Sequence, residues 1–145
     1  MSDDGFGLVG AKPALLPPDS YESEFAGWQT KYYFKTPKVY LSFVVKYKGE
    51  TKVFRRHYNV KALVGDVGHN GLFTFTANQS FCRDYFRLHG KPEQFTKDFM
   101  DVFYDKKYMC TLKTVTADSN GEPLDKASYY STINRVRVSK EEAYA

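Results

Sequence analysis

Between Val39 and Tyr47 the chain alternates with period two. Val39, Leu41, Phe43, Val45 and Tyr47 fall on one side, and Tyr40, Ser42, Val44 and Lys46 on the other. Successive side chains of an extended strand point to opposite faces, so the pattern predicts a strand with one buried face. Lys48–Glu50 (KGE) supplies a hairpin turn with a glycine, and Lys52–Val60 returns as the partner strand. On the return, Phe54, Arg56 and Tyr58 share one side and Arg55 and His57 the other. Both sides carry a cation, so alternation alone does not choose the buried one. If Phe54 and Tyr58 are core, Arg55 and His57 face outward.

Upstream, Tyr21, Ser23 and Phe25 in YESEFAGW predict a first strand, bent near Gly27 where a bulge fits. Trp28, Tyr32 and Tyr33 fall in the linker to the second strand, which Thr36-Pro37 interrupts. Residues 1–19, with Gly5, Gly7, Gly10, Pro13, Pro17 and Pro18, predict a flexible N-terminal arm.

Downstream, Lys61–Gly71 holds three glycines and predicts a loop, and Gly71–Ala77 (GLFTFTA) alternates again. Ser80–Leu88 predicts a short helix stopped by Gly90. KPEQFTKDFMDVF predicts a second helix, with Pro92 near its start and Phe95, Phe99, Val102 and Phe103 on one face. Lys107–Ala117 returns to period two, DSNGEP (Asp118–Pro123) is a turn, and Tyr129–Val138 is the last strand. Residues 140–145 form a short tail. Three strands, a helix and two strands predict a mainly β, OB-like five-stranded antiparallel Greek-key barrel over residues 20–139, with the helix between strands three and four. A small sandwich and an α+β roll are the competing architectures.

Composition adds an emphasis on rings. Twelve Phe, twelve Tyr and one Trp make the chain 17% aromatic. Tyrosine joins a flat apolar ring to a polar tip. The 145 residues suffice for one domain whose core needs no disulfide or metal. A net charge of +4 permits a polyanionic partner without demanding one. Two cysteines, Cys82 and Cys110, imply no disulfide framework, so a reducing cytoplasm is the expected location. No signal peptide or membrane span is expected, since the start MSDDGFG is acidic and lacks an apolar stretch.

The segments PPDSYESEFAGW, TPKVYLSFVV and RRHYNV, and the closing DKKYMCTLKTVTADSNGEPLDKASYYSTINRVRV, resemble small OB-fold proteins of phages and mobile elements. Those proteins in turn resemble single-stranded DNA-binding proteins encoded near replication and recombination functions. The likeness runs from about Pro17 to Val138. It implies a non-catalytic DNA-binding role, in the host cytoplasm if the chain is phage-encoded.

A single strand exposes base faces and phosphates together, so its binder interleaves aromatic rings with cations. The candidates for such contacts are Trp28, Tyr40, Lys46, Phe54, Arg55, Arg56, Tyr58, Lys113, Arg135 and Arg137. Arg135 and Arg137 face outward if Val136 and Val138 are core. Metal and cofactor chemistry are not expected: His57, His69, His89, Cys82 and Cys110 form no CxxC or HxxxH pair. Gly65, Gly68 and Gly71 lack the Lys-Ser or Lys-Thr that completes a phosphate loop. No nucleophile–base spacing suggests an enzyme. The partners expected are single-stranded DNA, with a replication or recombination protein and a second copy of the chain as further candidates. The rival reading is a protein-interaction module using the same aromatic surface.

Overall fold

The structure, a computed structural model, describes residues 14–139. The expectations for residues 1–13 and 140–145 lie outside it. The fold is mainly β. Strands β1 (Ser20–Tyr33), β2 (Thr36–Tyr47), β3 (Glu50–Asn59), β6 (Lys107–Val115) and β7 (Tyr130–Val138) form one antiparallel sheet in the order β3-β2-β1-β6-β7. Strands β4 (Ala62–Val64) and β5 (Leu72–Thr74) pair as a separate short hairpin, followed by the helix α1 (Ser80–His89).

Three expectations need correction. The helix does not follow the third strand directly, because the β4–β5 hairpin intervenes; it lies between β5 and β6. The second helix is absent: in place of the helix expected from Pro92 to Phe103 there is only a 3₁₀ turn at Asp101–Asp105. Thr96 explains why. Its Oγ1 accepts from the Asp98 N–H and its carbonyl from the Phe99 N–H, closing a local turn where a helical ladder would begin. The phenylalanines still reach the interior, with Phe103 buried and Phe95 and Phe99 packed against the core. Finally, β1 is longer than the alternation shows. A bulge between Phe25 and Gly27 shifts the inward side from Ser23 and Phe25 to Trp28 and Thr30, so a period-two reading stops at the bend. Trp28, Tyr32 and Tyr33 therefore belong to β1, not to a linker.

One sheet face is packed. Phe25, Val39, Leu41, Phe43, Val45, Phe54, Tyr108 and Val136 meet Phe81, Tyr85 and Leu88 of α1 in a single core cluster. The stretch 14–19, expected as the end of the arm, lies along β7: Leu16 is buried, its N–H donates to Ser131 Oγ (2.8 Å), and Ser131 N–H donates to the Ala14 carbonyl (3.0 Å). The loop 65–71 is latched onto β1. Trp28 Nε1 donates to the Gly71 carbonyl (2.9 Å), and Thr30 N–H donates to the Gly68 carbonyl (2.9 Å). A Cβ at Gly71 would collide with Thr30 Oγ1, so only glycine allows that approach.

No backbone ladder joins the sheet edges β3 and β7 among the described residues. Arg56 bridges them, its Nη1 donating to the Ile133 carbonyl (3.3 Å). Asp84 of α1 holds that arginine at 3.5 Å, accepts from Tyr58 Oη at 2.6 Å, and pairs with Arg87 at 3.3 Å. One carboxylate thus ties α1 to β3 and, through Arg56, to β7.

His89, in the last turn of α1, packs edge-on against Phe103 and Tyr85. Burial, then the neighbouring Lys106 ammonium, lowers its imidazole from 6.5 to about 4. Between those values the unfolded chain holds a proton that the folded chain does not, so stability falls on acidification through this window. After allowance for solvent screening of a partly exposed ring, the loss is about 1–2 kcal/mol. The thermal midpoint should drop between about pH 6.5 and about pH 4.5, and less so in His89→Leu; identical slopes in the two proteins would refute the assignment.

Candidate nucleic-acid interface

The turn at Lys48-Gly49, with φ of +51° and +82°, sets the register of the β2–β3 hairpin. Counting back from it places Lys38 opposite Asn59, Tyr40 opposite His57, Ser42 opposite Arg55, and Val44 opposite Val53. Because Val39, Leu41, Phe43, Phe54 and Tyr58 are all buried, these four pairs occupy the outer face. The β1–β2 register adds Lys31 beside Lys38 and Tyr33 beside Thr36. The result is one strip across three strands containing Tyr33, Lys31, Lys38, Tyr40, His57 and Arg55.

Within the strip, rings and cations touch. Lys38 Nζ lies 5.8 Å from the Tyr33 ring centroid, and the Tyr40 and His57 rings tilt together at 5.7 Å. Partial desolvation, then the Lys38 and Arg56 charges, push His57 below the usual histidine value. Desolvation raises the Tyr40 phenol, so its ring stays neutral. Beside the strip, a polar cleft of about 480 Å³ opens between β3 and the start of α1. Lys38, Arg56, His57, Tyr58 and Asn59 line it from the hairpin, and Asn78, Gln79 and Ser80 from the helix side.

The structure divides the ten sequence candidates. Trp28 (8% exposed), Phe54 (2%) and Tyr58 (5%) are core residues and present no ring face to a ligand. Arg56 points inward to Asp84 and the Ile133 carbonyl. Tyr40 and Arg55 lie in the strip, where Lys31, Lys38, Tyr33 and His57 join them. Lys46 shares a shallow pocket with Glu22, Glu24 and Lys107, so carboxylates offset its charge. Lys113, Arg135 and Arg137 are exposed on β6 and β7. A bulge at Asn134 brings both arginines outward, opposite Thr111 and Met109, while Ile133 and Val136 stay buried. The exposed carboxylates Glu22 and Glu24 of β1 stand between this wing and the β2–β3 strip.

The sequence does not single out Lys31 and Lys38, because their partnership exists only across the β1–β2 register. A usable signal was present nonetheless: a two-residue turn at Lys48-Gly49 already aligns Tyr40 with His57 and Ser42 with Arg55.

Both thiols are buried, and burial pushes Cys110 up to about 12, so it stays protonated. No group of three or more His, Cys, Asp or Glu side chains able to hold a metal occurs among the described residues, and no helix among them is long and apolar enough to cross a membrane. No protein-family model, curated protein or solved structure matches the chain.

Proposed function

We propose that this protein binds single-stranded DNA without catalysis, along the outer face of β2–β3. The observation that carries the reading is the strip itself. Lys31, Lys38 and Arg55 are spaced among Tyr33, Tyr40 and His57 on one face, with no carboxylate among them. Cations there would displace counterions from phosphates while the rings meet bases, a combination tolerant of sequence. The strand order supports an OB-like reading, since β1 lies between β2 and β6 and the two sheet edges approach through Arg56. In OB domains the face of the second and third strands is a nucleic-acid surface.

A fluorescence titration with labelled oligo-dT tests this. If three cations each contact one phosphate, affinity should weaken roughly 20-fold between about 50 mM and about 200 mM salt, and duplex of equal length should bind more weakly. No binding at the lower salt would overturn the proposal.

A second reading, a protein-interaction module, draws on a different surface. An apolar cleft of about 530 Å³ between the β4–β5 hairpin and α1 is lined by Phe73, Phe75, Phe86, Phe95 and Phe99. A polar substitution at Phe95 that leaves oligo-dT affinity unchanged would separate the two surfaces.

A further inference from the structure

The turn joining β1 to β2 is built from residues that turn geometry disfavours. Tyr33 pairs with Thr36, leaving Phe34 and Lys35 as the two central residues, with φ of +49° and +70°. Turns with both central residues left-handed favour Asn, Asp and Gly, because a larger side chain crowds the backbone there. The β2–β3 turn meets that demand at its second position with Gly49. The β1–β2 turn does not.

Folding does not account for the phenylalanine. Phe34 is 84% exposed, and its ring contact is an edge-on approach to Tyr33 at 4.5 Å. Tyr32 and Tyr33 beside it are each 53% exposed. A strained backbone carrying a solvated apolar ring is disfavoured twice, and such strain collects at functional positions.

The surroundings of the tip indicate what it meets. From Gln29 to Tyr40 the hairpin end carries Lys31, Lys35 and Lys38 and no acidic residue. The tip is therefore an apolar wedge rimmed by cations, complementary to a flat apolar face bordered by phosphates. The last base pair of a duplex offers such a face. The wedge stands at the end of the β1–β2 ribbon, next to the strip on which the single strand is placed.

We propose that Phe34 is a stacking wedge that caps the terminal base pair where a duplex opens into the single strand held on β2–β3. The preferred ligand is then a tailed duplex rather than a uniform single strand. This rests on the single-strand reading above. Stacking of one ring on a base is worth about 5- to 150-fold in affinity, and apolar side chains are known to part neighbouring bases in this way.

The test compares oligo-dT with a duplex bearing a dT tail of the same length and 2-aminopurine in its last base pair. The wild-type protein should bind the tailed duplex about tenfold more tightly than the tail alone and change the 2-aminopurine emission. Phe34→Asn should abolish both effects and leave oligo-dT affinity within about threefold. It should also raise the thermal midpoint, because asparagine fits the left-handed position better than phenylalanine. A loss of stability in Phe34→Asn would show that the ring serves the fold, and would overturn the wedge. Equal affinity for tail and tailed duplex, with no emission change, would overturn it while leaving the single-strand reading intact. Failure to bind either DNA would overturn both. Phe34-dependent binding to anionic phosphatidylserine vesicles, with no junction preference, would overturn it in favour of a membrane surface.

Discussion

Replacing Asp84 with alanine is expected to destabilise the fold by about 3 kcal/mol, lowering the thermal midpoint by roughly 10 °C. The carboxylate is the shared acceptor for Tyr58 Oη, Arg56 and Arg87, and its side chain is only 19% exposed. Its removal leaves the half-buried Arg56 guanidinium without its counterion and the buried Tyr58 hydroxyl without its acceptor. Unpaired buried groups cost more than their pairing had gained. Burial and then the Asp84 charge hold the Tyr58 phenol well above its ordinary value, while its Oη donates to Asp84 and accepts from Arg56 Nε at 3.4 Å. Asp84→Asn keeps an acceptor for Tyr58 but loses the charge, so it should fall between wild type and alanine. Urea unfolding of the three proteins checks the order. A change below about 0.5 kcal/mol for the alanine variant would place the docking of α1 elsewhere. Since Asp84 faces the packed side, oligo-dT affinity measured well below the midpoint should change little.

The double variant Lys38→Ala/Arg55→Ala should show the converse. Its affinity for oligo-dT should fall roughly 30-fold at low salt, and the salt slope should become shallower by about 1.4, the share of two phosphate contacts on a single strand. Its thermal midpoint should move little, since Lys38 and Arg55 lie on the outer face, away from the core cluster. Arg135→Ala/Arg137→Ala is the informative control. Those arginines are exposed but separated from the strip by Glu22 and Glu24, so their loss should weaken binding only a few-fold. An equal loss in the two double variants would mean that the DNA path crosses β1 onto β6 and β7. His57 adds a pH dependence. In the free protein its imidazole is held below the usual value, so it is neutral at pH 7. A phosphate alongside favours the protonated ring, so affinity should rise as pH falls from about 7.5 to about 5.5, and His57→Gln should flatten that rise.

Much of the β architecture is legible because alternation is a local property. Val39–Tyr47 and its partner across KGE, the bend at Gly27, the helix from Ser80 and the last two strands can each be read from a few neighbouring residues. The boundary errors have local physical causes as well. The bulge after Phe25 reverses the inward side and hides half of β1, while a Thr96-centred turn replaces the helix that the spacing of Phe95, Phe99, Val102 and Phe103 suggests.

By itself, the sequence determined that this chain builds antiparallel strands around an aromatic core, and that rings and cations alternate along them. Which of them face solvent was decided by the tertiary structure. Arg56 faces Asp84 across the core side, while Arg55, its neighbour in sequence, faces outward. A cation flanked on its strand face by Phe54 and Tyr58 gives no sign of whether a partly buried carboxylate awaits it on a helix 28 residues later. The same holds for Lys31, Lys38 and Tyr40, which belong together only because backbone hydrogen bonds between β1, β2 and β3 place them side by side.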